Sequence, residues 1–318
     1  MAKTIFLNSE KIDYDHHLDF TMIEKQGALT LYPSTPPKEI MQRISGHEII
    51  VSKEIPLGKE LVTALPTSVK LICEAGTGYN NIDIVAARSR EIAVCNIPEY
   101  STTAVAQLVF TFILNLSSSL SRQQVMLKSG ELTNFSTYLR LPHSEVFRKT
   151  LGIIGAGKIG RQVIHLAQAF GMNVLVFSRT PRTWADQSIR SVSLSELLAQ
   201  SDFVSIHCPL TPETESLIDQ KALEQMKPSA YIINTARGAI IDEPALIEAL
   251  SQGKLAGAAL DVQNPEPPAE GNPLYRMKNV ILTPHIGWKC LETRQRLLNS
   301  IAETIEKFAK GQPINLVN

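Results

Sequence analysis

Short runs of apolar residues recur along the chain, and stretches with helical periodicity separate them. The runs are HEIIVS, VKLICEAG and IAVCNIP in the first hundred residues, followed by TLGIIGAG, NVLVFSR, DFVSIHCP, AYIINTAR, LAGAALDV and NVILTPH. Apolar residues at consecutive positions are typical of strands that are buried on both faces. The alternation of such strands with helices predicts a doubly wound parallel α/β fold.

A glycine-rich turn, LGIIGAGKIGRQV, lies at residues 151–163 between an apolar run and a helical stretch. In a strand–turn–helix of this kind, Gly155 allows the tight turn and Gly157 lets the backbone approach a pyrophosphate, while Gly160 lets the helix pack on the strand. The helix N-terminus favours the phosphate charge. The context predicts a dinucleotide-binding Rossmann domain, and an ordinary tight turn is the alternative.

The position of this turn at mid-chain indicates two domains. We predict a discontinuous first domain, residues 1–99 and 287–318, and a dinucleotide-binding domain at residues 100–286. The amphipathic tail RQRLLNSIAETIEKFAK is expected to return to the first domain. The apolar stretch AVAQLVFTFILNL is too short for a membrane span and predicts a buried helix.

The composition favours a small-molecule partner over nucleic acid or a membrane. Lys plus Arg and Asp plus Glu number 31 each, without a long block of one sign. The N-terminal stretch lacks the apolar region of a signal peptide, and the four cysteines lie far apart, so we expect a cytoplasmic location. His16 and His17 have no second ligand cluster at suitable spacing, and we expect no metal site.

The segment SRTPR follows the strand after the glycine turn, where NAD-preferring sites present an acidic residue. Ser178, Arg179 and Thr180 instead offer two hydroxyls and a guanidinium, which suit a 2′-phosphate. The sequence therefore favours NADP(H), with NAD(H) as the alternative. In that alternative, Arg179 stacks on the adenine or points to solvent.

Three later strand ends carry residues suited to reducing a 2-oxo acid. Arg237 can grip a carboxylate and polarise a ketone. His285 can exchange a proton near neutral pH, and Glu266 can orient its ring and raise its pKa. Taken singly, each has a structural explanation, but their joint occurrence after a dinucleotide turn predicts a catalytic set.

The segments KTLGIIGAGKIG, HCPLTPETESLI, INTARGAIIDEPALIEAL, AGAALDVQNPEPP and LTPHIGW resemble successive signatures of the D-isomer-specific 2-hydroxyacid dehydrogenases. Within the family, GNPLY and HIGW…TRQRLL are most similar to the hydroxypyruvate reductase, or glycerate dehydrogenase, group. The resemblance implies a Rossmann domain inserted into a flavodoxin-like substrate domain, and a homodimer. It also implies that Arg237, Glu266 and His285 are catalytic, and that Thr77 and Gly78 receive the substrate carboxylate. Further implied cofactor contacts are Thr103, Lys158, Ile159, Cys208, Pro209, Thr235, Ala236, Asp261, His285 and Gly287.

The activity expected on these grounds is NAD(P)-dependent reduction of a small 2-oxo acid, with hydroxypyruvate or glyoxylate favoured. An NAD-dependent D-lactate or phosphoglycerate dehydrogenase is the alternative within enzymes. A dinucleotide-sensing protein of the corepressor type is the alternative outside them, because similar folds serve both catalysis and sensing.

Overall fold

The computed structural model describes residues 2–136, 139–180 and 183–318, and the chain divides into two compact units. The first unit runs to Ser101 and resumes at Trp288–Asn318, and the second unit is Thr102–Gly287. The boundaries expected from the sequence, 99/100 and 286/287, lie within two residues of these positions. The first boundary coincides with the start of a long helix at Thr102.

The first unit contains five parallel strands in the order β2-β1-β3-β4-β5. They are β1 (Ala2–Phe6), β2 (Gly27–Leu31), β3 (Ile49–Ser52), β4 (Leu71–Glu74) and β5 (Ala93–Cys95). This order is that of the flavodoxin-like folds, so the predicted architecture is confirmed.

Both faces of this sheet are buried. Its helices are α1 (Thr21–Glu24), α2 (Ile40–Ile44), α3 (Lys59–Ala64) and α4 (Ile84–Ser89). Along β3, Ile49 and Val51 belong to one hydrophobic cluster, whereas Ile50 belongs to another. Because successive side chains of a strand point to opposite faces, the two clusters lie on opposite sides of the sheet. This explains why three consecutive residues of the strand, Ile49, Ile50 and Val51, are apolar.

The second unit contains a seven-stranded parallel sheet in the order β12-β11-β10-β9-β6-β7-β8. The strands are β6 (Thr150–Ile154), β7 (Asn173–Phe177), β8 (Ile189–Ser191), β9 (Phe203–Ile206), β10 (Tyr231–Asn234), β11 (Gly257–Leu260) and β12 (Val280–Leu282). The strand order reverses between β6 and β9, as in the Rossmann fold. Ligands of such sheets bind at the carboxyl ends of the strands beside this reversal.

In the part of the second unit that the structure describes, the α-helices are α5 (Thr102–Ser118), α6 (Leu120–Lys128), α7 (Thr133–Ser136), α8 (Lys158–Ala169), α9 (Leu194–Gln200), α10 (Gln220–Glu224) and α11 (Glu243–Ser251). The stretch expected to form a buried helix is α5, whose apolar face lies in the core. No single helix among the described residues has the length and apolar character to cross a membrane. By those two criteria alone, α5 and α6 together qualify, with a bend of 57° between them.

The C-terminal helix α12 (Leu291–Ala309) completes the first unit, as the amphipathic tail predicts. Its residues Leu297, Ile301 and Ile305 lie in the same hydrophobic cluster as Phe6 of β1. An apolar stripe at helical spacing thus supplies part of the core of a domain whose other elements come from the beginning of the chain.

Arg294 of α12 connects this helix to residues 12–15 by hydrogen bonds. Its side chain is 2% exposed and forms hydrogen bonds of 2.8 and 2.6 Å with both carboxylate oxygens of Asp15. Its Nη1 also donates to the carbonyl of Ile12 at 2.8 Å, and the guanidinium lies 4.3 Å from the ring centroid of Tyr14. Such a bidentate pair fixes orientation as well as charge.

We expect Asp15→Asn to lower the stability of the protein in a pH-dependent way. The hydrogen bond from Arg294 lowers the pKa of Asp15 from 3.8 to about 2, so folding favours the ionised carboxylate. This contribution is complete above about pH 4 and is lost as the pH falls from about 4 towards 2. Urea unfolding of both proteins at several pH values checks the prediction. A stability difference that does not shrink in acid would contradict the charge-based explanation.

Candidate active site

The glycine turn after β6 contains two glycines that lie against neighbouring backbone atoms and one whose Cβ position is open. Gly155 has a φ of +100°, and a Cβ there would lie 2.6 Å from the backbone nitrogen of Cys208. A Cβ on Gly160 would collide with the carbonyl oxygen of Gly155. Gly157, which precedes the first residue of α8, has no atom within 4 Å of its Cβ position. Two glycines therefore serve packing, and the third leaves the backbone open to a ligand.

Thr235, which follows β10, supplies a second sign of a ligand at this edge of the sheet. Its hydroxyl oxygen is buried and has no hydrogen-bond partner within the part of the chain that the structure describes. Buried hydroxyl groups are almost always hydrogen-bonded. An unpaired hydroxyl among the described residues, at the same edge of the sheet as an open glycine turn, fits a dinucleotide cofactor.

The other candidate cofactor residues lie where the sequence places them, at strand ends and helix starts. Ser178–Thr180 follow β7, Cys208 and Pro209 follow β9, Ala236 follows β10, Asp261 follows β11, Gly287 follows β12, Thr103 lies on α5, and Lys158 and Ile159 begin α8. The carboxyl ends of parallel strands share one edge of the sheet, so these strand-end positions line the same edge.

The segment after β7 presents polar groups to solvent. The hydroxyl of Ser178 donates to the carbonyl of Thr180 at 2.6 Å, and the side chain of Arg179 is exposed. The last two residues of SRTPR lie outside the described residues. None of residues 178–180 is acidic, whereas NAD-preferring sites present an acidic residue at this place.

A buried carboxylate, that of Asp261, organises the segment after β12. It is 2% exposed and accepts hydrogen bonds from the hydroxyl of Thr283 and from the backbone nitrogens of Ile286 and Gly287, at 2.7–2.9 Å. Burial raises the pKa of Asp261, and these hydrogen bonds act in the opposite direction. The sequence analysis missed Thr283, a polar residue between a strand and a histidine.

His285 is held in an uncommon backbone conformation at the centre of this segment. Its φ is +51°, and its backbone nitrogen donates to the carbonyl oxygens of Asp261 and Thr283, at 2.9 and 3.0 Å. A positive φ on a residue other than glycine costs of order 1–3 kcal/mol and persists only when the surroundings enforce it. The hydrogen bonds of Asp261 on both sides of His285 provide that enforcement.

The imidazole of His285 pairs with Glu266. His285 Nδ1 lies 2.9 Å from Glu266 Oε2, and Glu266 Oε1 accepts from the backbone nitrogen of Gln263 at 2.8 Å. Because an ionised carboxylate can only accept, this contact places a hydrogen on Nδ1. The contact thereby orients the ring and leaves Nε2 to exchange a proton with a ligand.

Arg237 begins the turn after β10 and is half-buried. Its Nη1 donates to the carbonyl of Ala236 at 2.7 Å, and its own carbonyl accepts from Asn234 at 2.8 Å. A Cβ on the next residue, Gly238, would collide with the backbone of Gln263, so the two turns touch. The fold therefore connects the turn of Arg237 to the segment that orients Glu266.

Thr77 and Gly78 belong to the first unit, where they follow β4. The hydroxyl of Thr77 donates to the carbonyl of Ile97 at 3.2 Å, and Asn96 donates to the carbonyl of Thr77 at 2.7 Å. These contacts tie the turn to the residues that follow β5. The turn thus lies at the carboxyl edge of the first sheet, which is the ligand-binding edge of such sheets.

The remaining histidines differ from His285. His207 lies beside the glycine turn, with Nε2 2.9 Å from the hydroxyl of Ser205, and burial lowers its pKa from 6.5 to about 3. It therefore stays uncharged near neutral pH, which suits packing or a cofactor neighbour better than proton transfer. His16 and His17 are exposed. In the described ranges, no three metal-ligating side chains are grouped to hold an ion.

Comparison with known proteins identifies the family of the chain. The profile of the D-isomer specific 2-hydroxyacid dehydrogenase, NAD binding domain, matches residues 110–287. The chain belongs to this family. The hydroxypyruvate reductase of Blautia hydrogenotrophica is 35% identical over 308 residues, which cover 95% of each chain. The glyoxylate reductase of Thermococcus litoralis is 38% identical over 312 residues, covering 93% of this chain and 92% of that protein.

The whole fold also matches solved members. An acyclic imino acid reductase in complex with NADPH and D-Arg superposes with a TM-score of 0.89 at 30% identity, over 99% of this chain and all of that one. The protein is therefore an oxidoreductase of the 2-hydroxyacid dehydrogenase type with a dinucleotide-binding domain of the Rossmann fold.

We expect Asp261→Asn to disturb the segment that carries His285. The amide of Asn has one acceptor oxygen in place of two, so at least one backbone nitrogen of Ile286 or Gly287 loses its partner, at about 1–3 kcal/mol. The expected result is a lower Tm together with a kcat reduced at least about tenfold.

Thermal unfolding and steady-state kinetics measure both effects. Asp242→Asn is the matched control, because Asp242 only caps α11 and Asn is an equally good cap. Full activity and stability of Asp261→Asn would show that the carboxylate does not position the loop.

Proposed function

We propose that the protein is an NADPH-dependent reductase that converts a small 2-oxo acid, hydroxypyruvate or glyoxylate, into the D-2-hydroxy acid. The observation that carries the proposal is the 2.9 Å contact between His285 Nδ1 and Glu266 Oε2 at the ligand-binding edge of the Rossmann sheet. Reduction of a ketone needs a proton donor whose orientation is fixed, and this pair provides one.

In the second unit, His285 acts on the carbonyl oxygen of the substrate, and Arg237 acts on its carboxylate and carbonyl. His285 Nε2 donates the proton that converts the developing alkoxide into a hydroxyl, and Glu266 stabilises the charged imidazole on the other side of the ring. Arg237 holds the substrate by its carboxylate and polarises the carbonyl. The nicotinamide, when bound, supplies the hydride.

The cofactor would be held by this chain's strand ends. The open backbone of Gly157 and the N-terminus of α8 suit the pyrophosphate, and the unpaired hydroxyl of Thr235 is available to the cofactor. The resemblance assigns the nicotinamide amide to Asp261. Because the Asp261 carboxylate already accepts three hydrogen bonds, its further contact uses the remaining acceptor capacity.

The choice of substrate rests on similarity and on the first unit. A hydroxypyruvate reductase and a glyoxylate reductase are both similar to this chain across nearly its whole length. The backbone N–H groups of Thr77 and Gly78 are the proposed acceptor site for the substrate carboxylate, because turns of this kind bind anions without help from side chains.

The preference for NADPH is argued from the segment after β7. Arg179 is exposed where an acidic residue would repel a 2′-phosphate, and the two neighbouring residues carry hydroxyls. A similar structure that covers the whole chain holds NADPH. A planar guanidinium forms two parallel hydrogen bonds with a phosphate group. This geometry favours the 2′-phosphate of NADPH over the 2′-hydroxyl of NADH.

A homodimer is also part of the proposal, and it is supported by an apolar surface on the second unit. Large apolar side chains are exposed in and next to α6 and α7; they are Leu120, Val125, Leu132, Phe135 and Leu139, and they range from 55% to 79% exposed. Exposed apolar side chains that are grouped in one segment of the chain favour association. The mass in solution, measured by light scattering, decides between monomer and dimer.

The cytoplasmic location stays a prediction based on the cysteines.

Oxidation of NADPH by purified protein with hydroxypyruvate or glyoxylate tests the function. We expect His285→Ala to reduce kcat about 10²–10⁴-fold, because it removes the proton donor. His17→Ala, which alters an exposed histidine of the first unit, should leave kcat unchanged. If the wild-type protein binds NADPH but turns over no 2-oxo acid, the dinucleotide-sensing alternative is favoured.

Arg179→Asp tests the cofactor preference. It replaces the phosphate ligand by a carboxylate that repels a 2′-phosphate, so we expect the KM for NADPH to rise at least about tenfold while the KM for NADH rises much less. Arg276→Asp, the same change at another exposed site, is the control. Unchanged NADPH kinetics would contradict the assignment of Arg179 and leave the catalytic assignment intact.

A further inference from the structure

Lys53 is buried at the carboxyl edge of the first sheet. It follows β3 directly, and its side chain is 5% exposed. The side chain of Asn8, which follows β1, fixes its backbone: Asn8 Nδ2 donates to the carbonyl of Lys53 at 2.7 Å, and the backbone nitrogen of Lys53 donates to Asn8 Oδ1 at 2.9 Å. In a sheet of the order 2-1-3-4-5, the strand order reverses between β1 and β3, where flavodoxin-like folds hold ligands.

The Lys53 ammonium is held in place inside the unit. Its Nζ lies 4.5 Å from the ring centroid of Trp288 and 2.6 Å from Glu54 Oε1. Lysine usually extends its charged end into water, so an enclosed ammonium is an exception that has a cost. The hydrogen bond to Glu54 uses one of the three N–H donors of the ammonium. The ammonium therefore has the capacity to donate to a ligand.

The buried carboxylate nearby, Glu74, does not need Lys53 as its hydrogen-bond donor. Glu74 accepts from the hydroxyl of Ser52 at 3.2 Å, from the backbone nitrogen of Glu54 at 2.8 Å, and from the amide of Asn81 at 3.0 Å. Three neutral donors already satisfy it. The need of Glu74 for hydrogen-bond donors therefore does not explain the presence of a lysine beside it.

Gly76 brings the ammonium next to the turn that contains Thr77 and Gly78. A Cβ on Gly76 would lie 3.1 Å from Lys53 Nζ, closer than ordinary contact allows. The missing side chain lets the ammonium lie close to Gly76, the residue that precedes Thr77. Two anion-attracting features, a turn with backbone N–H groups and a lysine ammonium, are thereby adjacent within the first unit.

We propose that Lys53 is a substrate-binding residue whose ammonium donates a hydrogen bond to the carboxylate of the 2-oxo acid bound at the turn of Thr77 and Gly78. This inference rests on the proposed function and adds a specific contact to it. Trp288 and Glu54 hold the ammonium in position for the incoming anion. Because hydrogen bonds to charged groups contribute about 1.5–3 kcal/mol, the contact corresponds to about a 10- to 100-fold effect on substrate binding.

Lys53→Met tests the proposal, since Met keeps the length of the side chain and removes the charge. With saturating NADPH, we expect the KM for hydroxypyruvate or glyoxylate to rise about 10- to 100-fold while kcat changes less than about threefold. This pattern indicates a loss of binding common to the ground state and the transition state. The KM for NADPH should be unchanged, and so should all constants of the control Lys59→Met, in which an exposed lysine is altered.

A binding measurement separates this proposal from the proposed function. The chain has two tryptophans, so Trp184→Phe leaves Trp288 as the fluorescent reporter beside Lys53. We expect titration with oxalate to change this fluorescence, and Lys53→Met to weaken the apparent affinity about 10- to 100-fold. Gly76→Ala, which keeps the lysine but displaces its ammonium, should weaken it too and serves if Lys53→Met does not fold.

The outcomes are distinct. If the wild-type protein turns over no 2-oxo acid, yet binds oxalate in a Lys53-dependent way, the proposed function fails and the anion site stands. If the wild-type protein is active, and Lys53→Met changes neither the KM nor the affinity for oxalate, Lys53 is a structural residue and the proposal is overturned.

Discussion

The candidate active site of the second unit depends on the buried carboxylate of Asp261. Its burial is unfavourable for the charged form, and donors from the segment after β12 offset that cost. The same hydrogen bonds bind the ends of β11 and β12 together and hold His285 at a positive φ. A single side chain thus holds two neighbouring strand ends together and supports His285, whose imidazole contacts Glu266.

The architecture could be predicted because parallel strands buried on both faces contain runs of consecutive apolar residues. All nine runs identified in the sequence are strands of the structure, and both the helix α5 and the C-terminal helix lie where their patterns indicate. The sequence analysis did not identify β1, β2 or β8. β2 and β8 are edge strands with exposed positions, so their patterns are weak. β1 is central, but its five residues begin at Ala2 and offer little periodicity.

The part of the candidate site that could be predicted consists of residues that follow the ends of strands. Arg237, Glu266 and His285 stand out in the sequence because polar groups follow apolar runs there. Thr283 and Lys53 also follow apolar runs, but the roles argued for them depend on contacts with residues that are distant in the chain: Asp261 for Thr283, and Trp288 and Gly76 for Lys53. Periodicity and motifs describe neighbours along the chain, and these contacts are set by the tertiary fold.

The discontinuous first unit has a consequence for how the protein is made. Its core contains side chains of α12, which are synthesised only after the whole of the second unit. Domains generally fold as units during synthesis, in the order in which they emerge. The second unit is continuous, so its core can form first. The core around strands β1–β5 can be completed only after α12 has been synthesised. The N-terminal sheet is therefore the part of the nascent chain that stays incomplete longest, with apolar surface open to chaperones.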